Sequence, residues 1–198
     1  MTDHPTPLHR LDSAVVLVTG VMAAGKSTVA QALAERLPRS AHVRGDAFRR
    51  MMVSGAAEMS ADDEARDVVR EQLRLRHRIA AATADLYADA GLTAVLQDIV
   101  IGDALPEVVA MVRTRPLYVV VLAPRPDVIS AREEARAKTG YGLGWTPEGM
   151  DRILRDETPR TGLWLDSGGL TVAETVDAIL ARLDEARVDE ARVDEARV

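Results

Sequence analysis

A chain of 198 residues suits one domain of ordinary size with a substantial core. Its net charge of −6 argues against nucleic acid or an anionic membrane as the main partner and points to a small molecule. With no cysteine there are no disulfides or thiolate metal sites, and His4, His9, His42 and His77 show no ligand spacing, which argues against structural zinc.

Residues 1–13 carry no apolar run and are expected to form a tail ahead of a domain spanning 14–183. No segment approaches the roughly twenty apolar residues of a membrane span, so a soluble, cytoplasmic protein is expected. Ala14 to Thr19 reads as a buried strand, and Ser27 to Leu37 as an amphipathic helix. Between them Gly20-Val21-Met22-Ala23-Ala24-Gly25-Lys26-Ser27 fits the phosphate-loop pattern G-x-x-x-x-G-K-[ST] without a mismatch. The glycines permit backbone angles that wrap N–H groups around an anion, and the helix presents its positive end to the same phosphates. Gly20, Ala23, Ala24, Gly25, Lys26, Ser27 and Thr28 are the expected nucleotide contacts, with Lys26 on the β- and γ-phosphates and Ser27 on Mg²⁺. The chain has 23 arginines and only two lysines, which makes a lysine at this position hard to ascribe to chance.

A second strand, Ala41 to Arg44, is followed by Gly45-Asp46-Ala47-Phe48-Arg49-Arg50. A carboxylate at a strand end can take the proton from an attacking hydroxyl, so Asp46 is the candidate base; capping the helix that begins at Ala47 is the alternative. Phe48 to Met59, with Met51, Met52, Val53 and Met59, is the candidate acceptor pocket, because methionine adapts to varied apolar ligands; plain core packing is the alternative. Ala61 to Ala90 reads as one long helix whose Ala65, Val68, Leu75, Ile79, Ala82 and Leu86 are predicted to face the core. Arg66, Arg70, Arg74 and Arg78 recur at steps of four and form either a solvated face or an anion-binding one.

The third strand, Leu92 to Gln97, ends at Asp98, which would hold Mg²⁺ directly or through water, or bind the acceptor, with a structural cap as the remaining alternative. Leu117 to Leu122 is a fourth strand, after which Ala123-Pro124-Arg125-Pro126 turns into a helix bearing Arg132 and Arg136. Spaced by four, these arginines share a helical face and could reach the transferring phosphoryl group from a lid; a salt-bridged surface helix is the alternative reading. Lys138 and Thr139 to Gly144 read as the loop that would let the lid move. A short fifth strand lies in Gly162 to Leu165, followed by Ser167-Gly168-Gly169, where the backbone of Gly168 would lie beside a purine. Thr171 with Glu174 forms a capping box for a last helix carrying Val172, Val176, Ile179, Leu180 and Leu183. Residues 184–198 repeat Asp-Glu-Ala-Arg-Val three times, a five-residue period that cannot bring its valines to one side of a helix, so a frayed helical tail is expected.

Strands alternating with helices imply an α/β fold, a parallel sheet of about five strands flanked on both faces, with a helical lid. Asparagine is absent from the chain, so the Asn-Lys-x-Asp signature that reads guanine cannot be present and ATP is favoured. Together the phosphate loop, Gly45 to Arg49, Gln97 to Gly102, the Arg132/Arg136 pair and Leu163 to Asp166 resemble small P-loop kinases similar to chloramphenicol phosphotransferase. Zeta toxins and the adenylylsulfate and gluconate kinases are wider relatives. The resemblance implies an ATP- and Mg²⁺-dependent transfer to a hydroxyl of a small molecule, with Asp46 activating the hydroxyl and Arg132 and Arg136 in the lid. Arg49 matches an arginine of the zeta-like branch. Gln97 precedes Asp98 where the chloramphenicol-type enzymes pair two acids, which leaves the acceptor open between an antibiotic, a nucleotide sugar and another metabolite.

Overall fold

Five apolar runs become five parallel strands in the computed structural model of the chain, which describes residues 7–58, 66–135 and 145–188. They are β1 (Val15–Gly20), β2 (Ser40–Arg44), β3 (Thr93–Gln97), β4 (Leu117–Leu122) and β5 (Leu163–Leu165), in the spatial order β2-β3-β1-β4-β5. Every residue of β1, β3 and β4 is buried, which is why these runs read as continuous apolar segments without alternation. From β1 the chain first fills the β3 and β2 side, then crosses to β4 and β5. The winding therefore reverses beside β1, and ligands in such sheets bind at the carboxyl ends of the strands where it does.

The helices are α1 (Lys26–Arg36), α2 (Gly45–Arg50), α3 (Arg66–Asp89), α4 (Ala104–Met111), α5 (Pro126–Glu134), α6 (Pro147–Arg152), α7 (Val172–Ala181) and α8 (Leu183–Ala186). At the start of α7 the capping box is complete: Thr171 Oγ1 accepts from the Glu174 N–H, and the Glu174 carboxylate accepts from the Thr171 N–H. Val176, Ile179, Leu180 and Leu183 are buried as predicted, whereas Val172 remains partly exposed in the first turn.

Helix α3 presents the opposite face from the one its large apolar residues predict. Its buried side chains are His77, Ala80, Ala81, Ala84, Asp85 and Ala88, while Val68, Leu75, Ile79, Ala82 and Leu86 are exposed; Ala65 lies outside the described residues. Alanines let the helix backbone approach β3 and β2 closely, and a seam of small residues leaves no room for leucine. Arg70, Arg74 and Arg78 lie on the solvated side, Arg74 meeting Glu107 at 3.1 Å.

The first copy of the terminal repeat is docked on the domain instead of extending the last helix. Helix α7 stops at Ala181, Asp184 pairs with Arg10, and Ala186 and Val188 are buried. The Val188 N–H donates to the Leu117 carbonyl at 2.9 Å, so Arg187 forms an antiparallel bridge opposite Tyr118 where β5 is too short to pair. The second and third copies lie outside the described residues.

Candidate active site

The phosphate loop joins the end of β1 to the start of α1. Gly20 and Gly25 have φ of 145° and 95°, and Ala23 has φ of 60°. A β-carbon at Gly20 would overlap the Leu122 carbonyl of the neighbouring strand, so glycine is required there. Left-handed conformations at Ala23 and Gly25 turn successive N–H groups toward one side, the nest geometry that grips an anion. Lys26 is buried and its Nζ donates to the Val21 carbonyl at 2.7 Å, which holds the ammonium within the curve of the loop. Arg132 reaches over from α5, donating to the Ala24 carbonyl at 3.4 Å and the Ser167 carbonyl at 3.1 Å. One guanidinium thus ties the phosphate loop to the segment after β5.

Across from the loop, the ends of β2 and β3 supply two carboxylates. Asp46 lies in the first turn of α2, whose N-cap is Arg44, and its side chain makes no cap bond; the capping alternative does not hold. The Asp46 carboxylate pairs with Arg50 one turn on and stands 3.6 Å from Arg44 Nε. Asp98 is buried. Arg76 of α3 grips it with two donors, Nε to Oδ2 at 2.8 Å and Nη2 to Oδ1, while the Ile99 N–H donates to Oδ1 at 2.7 Å. Gly45 makes this possible, because a β-carbon there would overlap the Asp98 carboxylate. Thr19 anchors the segment from β1: its hydroxyl donates to the Val100 carbonyl at 2.8 Å and accepts from the Val100 N–H at 2.9 Å.

Beside that pair, His77 is buried with Nε2 at 3.9 Å from Asp98 Oδ2. Desolvation pushes its pKa below the usual imidazole value, with the Asp98 charge opposing and Arg76 reinforcing, so His77 is neutral at pH 7.

Met22, Ala23, Gly25, Lys26, Ser27, Thr28, Asp46, Arg76, Gln97, Asp98, Ile99 and Arg132 line one cavity of about 400 Å³. Phosphate-loop, strand-end and α5 candidates therefore converge. Others do not. Arg49 donates to the Ala57 carbonyl at 2.6 Å and holds the segment after α2, so it serves the loop and not the cavity wall. Met51 is 68% exposed, and neither it nor Met52 lines the cavity; Met59 lies outside the described residues. Gly168 also stays off the wall, its N–H donating to Asp166 Oδ1 at 2.9 Å. Arg136, Lys138 and Thr139 to Gly144 lie outside the described residues.

Two side chains that line the cavity, Arg76 and Gln97, carry no motif in the sequence. Arg76 sits two positions from both Arg74 and Arg78, off the solvated arginine face and beside His77; a charge on the core side of a helix signals a buried partner, here Asp98. Gln97, not Asp98, meets the phosphate loop: its Oε1 accepts from Ser27 Oγ at 3.1 Å. Both Asp98 oxygens accept hydrogen bonds, Oδ2 from Arg76 and Oδ1 from Arg76 and the Ile99 N–H. Among the described residues no group of three or more His, Cys, Asp or Glu could hold a metal. The Ser27 hydroxyl and the Gln97 amide oxygen are neutral hard donors, and they fit a Mg²⁺ whose remaining ligands are phosphates and water.

Comparison with known proteins agrees with this fold. A family profile described as an AAA domain, AAA_33, matches residues 15–144. The chain is similar to the structure of a sugar kinase from Janibacter sp. HTCC2649 (22% identity, 87% of this chain, 95% of that chain, TM-score 0.60). It is also similar to the Deinococcus radiodurans tunicamycin resistance protein (16%, 89% and 98%, 0.62). A third likeness is to the Mycobacterium tuberculosis APS kinase CysC solved with AMPPNP and APS (21%, 86% and 97%, 0.57). No curated protein matches the chain. Among the described residues no helix is long and apolar enough to cross a membrane. The chain has the P-loop kinase fold and belongs to the AAA_33 family of AAA domains.

Proposed function

We propose that the protein is an ATP- and Mg²⁺-dependent phosphotransferase that phosphorylates a hydroxyl group of a small molecule. The observation that carries this reading is the convergence of Lys26, Ser27, Asp46 and Arg132 on one cavity. An anion nest, a cation on each side of it and a carboxylate facing it are the parts that in-line phosphoryl transfer needs. Asp46 accepts the proton of the acceptor hydroxyl as its oxygen attacks the γ-phosphorus and the bond to the bridging oxygen breaks, releasing ADP. Lys26 and Arg132 hold the charge that gathers on the phosphates. Ser27 and Gln97 would hold a Mg²⁺, which when bound would add to the neutralisation of the phosphates. Arg76 holds the Asp98 carboxylate in place at the acceptor end of the cavity, which leaves Asp98 to position the acceptor.

The APS kinase neighbour was solved with an ATP analogue, and the tunicamycin resistance neighbour supports an antibiotic as acceptor. A nucleotide sugar is a second reading, favoured by Arg44 and Arg50, two exposed guanidiniums flanking Asp46. Incubating the protein with ATP and a panel of hydroxylated antibiotics, UDP-sugars and sugars, followed by mass spectrometry, tests both readings. Gain of one phosphoryl group on a panel member, lost in Asp46→Asn, is the expected result. ATP hydrolysis without any phosphorylated acceptor, unchanged in Asp46→Asn, would contradict it.

A further inference from the structure

The exposed apolar residues of α3 are not scattered. Leu75, Ile79, Ala82 and Leu86 follow one another at steps of four, three and four, the spacing of a coiled-coil seam, and Val68 extends the row by one heptad toward the amino end. Leu86 is 68% exposed, Leu75 47% and Ile79 38%. The row from Leu75 to Leu86 runs about 16 Å along the helix, at 1.5 Å per residue. Met111, at the end of α4, lies beside it. Two adjoining hollows of about 380 and 400 Å³ open there: one is bounded by Glu71, Arg74, Leu75, Arg78 and Met111, the other by Leu75, Arg78, Ile79, Ala82, Asp85 and Met111. A monomer seldom leaves such a continuous, grooved apolar row to water.

The charges beside the row select its occupant. Arg74 and Arg78 flank the amino-terminal half and Asp89 the carboxyl-terminal end, while Asp85 is buried and accepts from the Arg113 and Thr114 N–H groups. Laid antiparallel on itself, the helix brings the arginine end, with Arg74, toward the exposed Asp89 of the other copy, and does so twice by symmetry. Laid parallel, it sets arginine against arginine. In the antiparallel register Leu75 faces Leu86, Ile79 faces Ala82, and each Leu86 enters the hollow beside Leu75 and Met111 of the other copy. The existing partners of Arg74 (Glu107, 3.1 Å) and Asp89 (Arg113, 2.6 Å) are exposed surface pairs, which a dimer can share or exchange at little cost.

We propose that this face of α3 is a twofold interface at which a second copy of the chain packs antiparallel, centred between Ile79 and Ala82. The inference stands apart from the catalytic reading, because none of these residues lines the active-site cavity.

Sedimentation and light scattering of the full chain should give a mass twice 21.4 kDa, and Ile79→Glu should return the single-chain mass with nucleotide affinity unchanged. The chain contains no cysteine, so engineered thiols report the register without interference. An equimolar mixture of Leu75→Cys and Leu86→Cys proteins should form a disulfide-linked dimer under mild oxidation. Leu75→Cys alone should not, since its two copies stand about 16 Å apart along the axis, beyond the span of a disulfide. This arm also decides the matter if Ile79→Glu fails to fold. The proposal is overturned by a single-chain mass at the highest soluble concentration, by a dimer that survives Ile79→Glu, or by cross-linking as efficient in Leu75→Cys alone as in the mixture. A single-chain mass that doubles only after deletion of residues 189–198 overturns it too, since the face would then be covered by the chain's own terminus.

Discussion

The two walls of the cavity are built differently. The phosphate wall is contiguous: Gly20 to Thr28 place the nest, the ammonium and the hydroxyl within nine residues, and Arg132 and Gln97 reach it from elsewhere. The acceptor wall is assembled from α2, α3 and the end of β3, which bring Asp46, Arg76 and Gln97 to Ile99 together only when the sheet forms. Backbone geometry makes the first wall, so it tolerates change at most side chains except Gly20, Gly25, Lys26 and Ser27. The second rests on paired buried charges and fails when either partner is removed.

Substitutions that separate the walls should split binding from chemistry. Asp46→Asn, on the acceptor side, is expected to lower turnover by about 10²–10⁴ while ATP affinity holds, measured by steady-state kinetics and calorimetry. Lys26→Ala, on the phosphate side, should weaken both together, because the ammonium meets the phosphates before and during transfer. Arg76→Met leaves Asp98 buried without its partner and should destabilise the fold by roughly 3–5 kcal/mol in denaturant unfolding, with Arg76→Met/Asp98→Leu recovering much of that loss. Recovery of stability without recovery of turnover would separate the packing role of the pair from the positioning of the acceptor. Gly45→Ala, which drives a methyl into the Asp98 carboxylate, should impair the acceptor side and leave nucleotide binding near wild type.

A smaller effect distinguishes the walls by pH. His77 sits behind Asp98 with its folded pKa lowered, so the unfolded chain binds the extra proton first as pH falls below about 6.5. Its contribution to stability is whole above that value and is lost progressively as pH drops toward the folded pKa. His42, lowered chiefly by its own burial, acts in the same direction. Thermal melts between pH 7.5 and 5.5 should show a falling midpoint, and His77→Gln should flatten part of the slope. An unaltered slope in that variant would remove His77 from the explanation.

The phosphate wall was legible in the sequence because a contiguous motif carries its own geometry. The three central strands were legible because they are apolar throughout, and the edge strands β2 and β5 from shorter runs between turn and helix signals. The acceptor wall was legible only at Asp46 and Asp98, the carboxylates at strand ends. Arg76 was hidden midway between two solvated arginines, Arg74 and Arg78, and Gln97 was overlooked because an acid followed it. The face of α3 was misread since a period of 3.6 locates a stripe without saying which stripe is buried. Large residues attracted the assignment, but alanines made the contact. The docking of Ala186 and Val188 was equally illegible, since it depends on the bare stretch of β4 beside a short β5.

The central claim is that one cavity aligns a triphosphate held by Gly20 to Ser27 with a hydroxyl facing Asp46. A crystal structure of the protein with a non-hydrolysable ATP analogue and Mg²⁺ tests it most directly. The account expects the γ-phosphate between Lys26 and Arg132, with Ser27 on the metal and the Asp46 carboxylate across the gap. An analogue bound elsewhere, or one whose γ-phosphate points away from Asp46, would contradict it.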